Sequence, residues 1–201
     1  MTKLSKHFLS LIVLSIFSAS ASAEENAAKY PIAIMHTTKG AITLELYADK
    51  APVTVANFLD YAKSGFYNNT IFHRVIKRFM IQGGGFSKDM QKKTTNPPIV
   101  NEASNGIHND RWTIAMARTN DPNSATSQFF INTKMNSALD KGRGNPGYTV
   151  FGAVIDGQHV VKAIEKTQVS SVGMHQHLPV EPIIIERITI ESTTIESTKT
   201  K

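Results

Sequence analysis

The sequence predicts a mainly β domain, closed or sandwiched, carrying two short helices. Three observations point there. Apolar residues alternate with their neighbours over short runs; stretches rich in Gly, Asn, Pro and Ser separate those runs; only two segments switch to three- and four-residue spacing.

From Ile32 to Tyr47 the pattern is strand, turn, strand. Ile32, Ile34 and His36 alternate with Ala33, Met35 and Thr37, Lys39-Gly40 turns, and Ile42, Leu44 and Leu46 alternate with Thr43, Glu45 and Tyr47. A period of two with glycine at the reversal marks a hairpin. Pro52 then opens a helix with Val55, Phe58, Leu59 and Ala62 on one face, and Gly65 closes it. Further strands are expected at Thr70–His73, Phe79–Gln82, Trp112–Ala117, Gln128–Asn132 and Tyr148–Ile155. A second helix is expected at Gln158–Lys166, with Val160, Val161 and Ile164 as its apolar face, and a last strand at Ile183–Ile190. The stretch from Gly83 to Asn109, with Pro97-Pro98 and many polar residues, reads as a long loop.

Both ends are set apart. Lys3 and Lys6 precede an apolar run from Phe8 to Phe17, which ends in Ala21-Ser22-Ala23, the layout of a secretory signal peptide. The run is shorter than the roughly 20 residues a spanning helix needs. The mature chain is therefore expected to begin near Glu24, to be exported, and to be soluble. One domain is expected over 24–191, since the about 178 residues that follow the leader fall within the range of a single core. Residues 192–201, rich in Ser, Thr, Lys and Glu, are expected to be a disordered polar tail, having little apolar area to offset ordering entropy.

Composition narrows the function. There is no cysteine, so neither a disulfide nor a lipidated cysteine is available. The full chain carries +6; without the two leader lysines, 20 basic residues face 16 acidic ones. The bases are dispersed, with Lys92-Lys93 the densest pair, which argues against nucleic acid. No phosphate loop, His-Glu-x-x-His, cysteine nucleophile or Gly-x-Ser-x-Gly elbow occurs. His175-Gln176-His177 is the nearest metal candidate, but without a third ligand nearby it reads as exposed loop, and no metal is expected.

Three segments carry the chemistry: Phe72-His73-Arg74-Val75-Ile76, then Phe79-Met80-Ile81-Gln82-Gly83-Gly84, then Ser127-Gln128-Phe129-Phe130-Ile131. Together with Ala115-Met116-Ala117, Leu139-Asp140 and Val150-Phe151-Gly152, in this order and spacing, they resemble the cyclophilin family. The resemblance extends from about Tyr30 to Glu191. It implies a closed eight-stranded antiparallel barrel capped by two α-helices, with the site on the outer face. It also implies a cofactor-free peptidyl-prolyl cis/trans isomerase, monomeric, whose partners are proline-containing unfolded or flexible polypeptides.

By the same resemblance, Arg74 donates to the proline nitrogen and Gln82 orients it while holding the substrate backbone. Phe79, Met80, Phe130 and Leu139 form the proline pocket, with Tyr148 in its wall. Ala117, Arg118 and Thr119 meet the substrate main chain, and Gln128 lines the same groove. His73 is structural, because the rotation transfers no proton. Taken singly, Arg74 reads as an exposed cation and the aromatics as barrel core; only the set points to a site. Three positions depart from the family: Arg118 replaces its common asparagine, Ala138 stands where many eukaryotic members have tryptophan, and Tyr148 where they have histidine. The last two resemble the bacterial envelope branch, which implies a periplasmic location and weak binding of cyclosporin. A barrel that binds such segments without turning them over is the competing reading.

Overall fold

In the computed structural model, which describes residues 30–191, the chain forms a closed barrel; the signal peptide expected at 1–23 and the tail expected at 192–201 lie outside the described residues. In chain order the elements are β1 (Ile32–Thr37), β2 (Gly40–Leu46), α1 (Pro52–Lys63), β3 (Thr70–Ile76), β4 (Met80–Ser87), β5 (Thr113–Met116) and β6 (Phe129–Asn132). A 3-10 turn at Ser137–Leu139 follows, then β7 (Val150–Asp156), α2 (Gln158–Glu165), β8 (Val169–Val172), β9 (His175–Pro179) and β10 (Ile184–Glu191). Eight strands close in the order β1-β10-β3-β4-β6-β5-β7-β2, every neighbouring pair antiparallel. Closure leaves no unpaired edge and turns alternate side chains inward.

Alternation decides what fills the interior. In β1, Ala33, Met35 and Thr37 are buried, and in β2, Ile42, Leu44 and Leu46, while the residues between them are not. The β1–β2 reversal needs Gly40: its φ is +123°, and a Cβ there would stand 2.9 Å from Val160 Cγ2 of α2. Helix α2 covers one part of the wall with Val160, Val161 and Ile164, as its spacing predicts.

Helix α1 buries Val55, Phe58, Tyr61 and Ala62. The Phe58 ring lies 5.2–5.9 Å from those of Tyr67, Phe129 and Phe151, joining the helix to the interior of the barrel. Gly65 ends the helix as predicted, at φ +70°. Its N–H reaches Ala62 O at 3.1 Å and the Phe66 N–H reaches Tyr61 O at 3.0 Å, which satisfies two last-turn carbonyls.

Three expectations need correction. The loop assigned to Gly83–Asn109 is shorter: β4 continues to Ser87, and single bridges join Phe86 to Lys92 and Ile99 to Ala125. Its later part serves α1. Ala51 gives that helix no side-chain cap, and Glu102 instead accepts from the N–H groups of Val53 and Thr54 at 3.1 and 2.8 Å and from Thr54 Oγ1 at 2.7 Å. His175-Gln176-His177 is not loop but strand, part of a β8–β9 hairpin outside the barrel that packs along β3. Strand ends also move: Phe79, Trp112, Gln128 and Tyr148, expected inside strands, precede them by one or two residues. Trp112, at φ +76°, cannot continue an extended run.

Candidate active site

On one side of the barrel the outward residues are buried as well. Met80, Ala115, Phe130 and Val150, on four neighbouring strands, form a second apolar cluster on the outer face, backed by Ile76, Phe79, Ile107, Ala117, Leu139 and Tyr148. Register explains the grouping: Arg74 pairs with Gln82, Gln82 with Phe130, Phe130 with Ala115 and Ala115 with Val150. A single row across β3, β4, β6, β5 and β7 thus runs from a cation through an amide to apolar side chains.

Arg74 faces outward because of a bulge. Phe72 pairs with Gly83 and Arg74 with Gln82, so β3 advances two residues while β4 advances one. Strict alternation would put Arg74 on the same side as Phe72, which packs in the interior; the extra residue, His73, reverses the phase. On that outer face Arg74 Nη1 donates to Gln82 Oε1 at 3.3 Å, and Gln82 Nε2 donates to Gln128 Oε1 at 3.0 Å. Gln128 can lie over β4 because residue 85 is glycine, where a Cβ would come within 2.5 Å of Gln128 Cγ.

Nine of the residues picked from the sequence line one open cleft of about 420 Å³: Arg74, Phe79, Met80, Gln82, Ala117, Arg118, Phe130, Leu139 and Tyr148. Thr119 and Gln128 do not line it. They border an adjoining cleft of about 450 Å³, which shares Gln82, Ala117 and Arg118 with the first. The Thr119 N–H already donates to Ser124 Oγ at 2.8 Å, while the Ala117 N–H donates to Gln128 O at 2.9 Å. Phe130 and Tyr148 meet edge to face at 5.7 Å, and the Arg118 guanidinium stacks 4.3 Å from the Tyr148 ring. Ala138, at the position where many eukaryotic members have tryptophan, is exposed on the 3-10 turn beside Leu139 and lines neither cleft.

The sequence reading missed the amide network that holds this wall. Asn136 Nδ2 donates to Phe79 O at 2.9 Å and to Asn132 Oδ1 at 2.7 Å; Asn132 Nδ2 donates to Asn109 Oδ1 at 3.2 Å and Thr113 Oγ1 at 2.9 Å. Asp140 Oδ1 accepts from the Asn109 N–H at 2.7 Å and from Asn109 Nδ2 at 3.0 Å, and His108 Nδ1 lies 2.9 Å from Asp140 Oδ2. Burial alone would push the Asp140 carboxyl up, but the Asn109 and His108 contacts outweigh it and hold it below the usual range. The network ties the segments bearing Phe79 and Leu139 together, and an asparagine's buried partners leave no periodic mark in a sequence.

The site therefore offers an apolar recess with a guanidinium at its edge, held by two glutamines in series. His73, beside Arg74, is buried against Phe86 at 4.7 Å between rings. Burial, then the nearby His175 charge, lowers its pKa to about 4, so it is neutral at pH 7.

Comparison with known proteins agrees with this geometry. The family described as cyclophilin type peptidyl-prolyl cis-trans isomerase/CLD matches residues 32–190. The chain is 50% identical over 184 residues to peptidyl-prolyl cis-trans isomerase A of Dickeya dadantii, covering 91% of this chain and 96% of that one. It is 54% identical over 154 residues to peptidyl-prolyl cis-trans isomerase B of Escherichia coli, covering 75% and 94%. A cyclophilin type isomerase of Cryptosporidium parvum, crystallised in the presence of the dipeptide Ala-Pro, superposes with a TM-score of 0.67 at 32% identity, covering 80% of this chain and 99% of that one. The chain belongs to the cyclophilin-type peptidyl-prolyl cis-trans isomerases, a family of enzymes.

Proposed function

We propose that the chain accelerates rotation about X-Pro bonds of exported polypeptides, with Arg74 as the catalytic group. The observation that carries this is the Arg74 guanidinium, held by Gln82 at the edge of a cleft walled by Phe79, Met80, Phe130, Leu139 and Tyr148. Rotation breaks amide resonance against a barrier of about 18–20 kcal/mol, and X-Pro bonds left alone take tens to hundreds of seconds. In the twisted state the proline nitrogen regains a lone pair. A fixed donor there binds that state better than either planar isomer, and only such differential binding speeds a reaction.

The proline ring occupies the apolar recess, and the residues around it enter the cleft bordered by Thr119 and Gln128. Gln82 serves twice, positioning Arg74 and offering its amide to the substrate backbone. A hydrogen bond to a charged group contributes about 1.5–3 kcal/mol, and each 1.36 kcal/mol off the barrier is about tenfold in rate. Arg74→Ala is therefore expected to lower turnover of a short X-Pro peptide about 10- to 100-fold with circular dichroism unchanged. Equal turnover by the folded variant would remove this mechanism; retained peptide binding without turnover in the wild type would make the barrel a binding module.

The exported setting rests on the leader at 1–23, with the periplasm as the compartment and unfolded or flexible proline-containing chains as the clients. Protein recovered from the cell envelope is expected to start near Glu24; a retained Met1 or Lys3 would overturn that part. Weak cyclosporin binding is expected too, because Ala138 adds nothing to the wall beside Leu139.

A further inference from the structure

The two clefts carry a one-sided charge. Arg74 and Arg118 line the first, Arg118 and Lys92 the second, and neither lining includes an aspartate or glutamate. Asp121, on the turn that follows Thr119, directs Oδ1 to the Asn123 N–H at 2.9 Å and lines neither cleft. A ligand here meets cations, and no acidic side chain lines either cleft.

Arg118 is the cation common to both clefts, and it is held in place. Its Nε donates to Gly147 O at 3.0 Å, its Nη1 to Thr119 O at 2.8 Å, and its guanidinium stacks on Tyr148. A guanidinium has five N–H groups; these two bonds fix its plane, and the rest meet no acceptor among the described residues. A cation already ordered this way gives up little further freedom when it binds a carboxylate. Lys92 is exposed and adds a second positive charge to the same cleft.

Resting on the isomerase reading above, we infer that the enzyme selects prolines flanked by an acidic side chain, which Arg118 and Lys92 hold in the second cleft while the ring occupies the first. The reach is short. The clefts share three lining residues, and an extended chain advances about 3.3 Å per residue, so the acid sits within two residues of the proline.

The test is kcat/KM for peptides in which Glu, Gln or Lys is placed in turn at each of the two positions on either side of proline, with a control peptide bearing Glu six residues away. At one position Glu is expected to exceed its neutral isostere Gln by roughly fivefold, the scale of a partly exposed ion pair, and Lys to fall below both. Added salt should shrink the gap. Arg118→Gln and Lys92→Gln should each narrow it, and Arg118→Lys should keep part of it. Equal rates for Glu and Gln at all four positions would overturn the inference while leaving the isomerase intact. So would an equal gain from the remote Glu, which shows only long-range attraction. No turnover of the Gln peptides would overturn the isomerase reading and this inference together.

Discussion

Strands β1 and β2 bury every second residue, whereas β5 and β6 bury all of theirs. On the first pair the inward side chains build the core and the outward ones meet solvent. On the second, Ile114, Met116, Phe129 and Ile131 build the same core, but Ala115 and Phe130 enter a cluster on the outer face. A strand that is buried on both faces and has only one sheet behind it must have something in front of it. Here that is the wall of a cleft, so doubly buried strands mark where the barrel wall doubles as a site.

Two consecutive residues test this most sharply. Phe129 points inward, its ring 5.6–6.2 Å from those of Tyr67, Phe58 and Phe72; Phe130 points outward, to Tyr148. Phe129→Ala is expected to cost about 3–5 kcal/mol of stability, the usual toll of an emptied aromatic site, while the protein still folded keeps its turnover. Phe130→Ala should cost less, because the cleft is open to water, and should lower kcat/KM at least about tenfold. Urea unfolding with peptide turnover on each variant measures both. If the inward residue hurts turnover of folded protein more than the outward one, the division of the wall is wrong.

The same contrast explains what could be read in advance. The two helices were legible because Phe58, Val160 and Ile164 sit at helical spacing, and the barrel strands because β1 and β2 alternate cleanly. Seven of the nine lining residues were legible because they fall in the family's segments, and Arg118 and Tyr148 because they stand where the family's pattern differs. The bulge at His73 was not, because it depends on how β3 registers against β4 across the barrel. Neither was the network of Asn109, Asn132 and Asn136, because its links from Asn132 to Asn109 and from Asn136 to Phe79 span distant parts of the sequence. The β8–β9 hairpin was missed for a third reason: β8 is exposed throughout, with Val169 and Val172 outside any core, so no buried pattern announced it.

Strand β3 sharpens the rule, because part of its outer burial comes from cover rather than cleft. His73 lies against Phe86, whose ring is 5.4 Å from that of His175 on the hairpin. With a folded pKa of about 4 against an ordinary 6.5, the unfolded chain binds this proton more readily. Stability from this group is therefore complete above pH 6.5 and lost as pH falls toward 4. By pH 5 the loss should reach about 2 kcal/mol. Unfolding at pH 7.5 and 5 is expected to show that drop in the wild type and a smaller one in His73→Leu. Equal drops would mean that the imidazole is not shielded by the hairpin.

The smallest expected effect separates inner face from outer at a distance. Glu102 lines neither cleft, yet it binds two N–H groups and a hydroxyl at the start of α1, the helix whose Phe58 meets Phe129 and Phe151 inside the barrel. A carboxylate there also opposes the positive end of the helix dipole. Glu102→Gln keeps the shape and removes the charge, and should cost about 1 kcal/mol in urea unfolding. Turnover should not change, because the strands bearing Arg74, Gln82 and Phe130 present their other face to the cleft. A loss of turnover without loss of stability would show that the two faces of the wall are not independent, and that the loop from Ser87 to Asn109 reaches the site by another route.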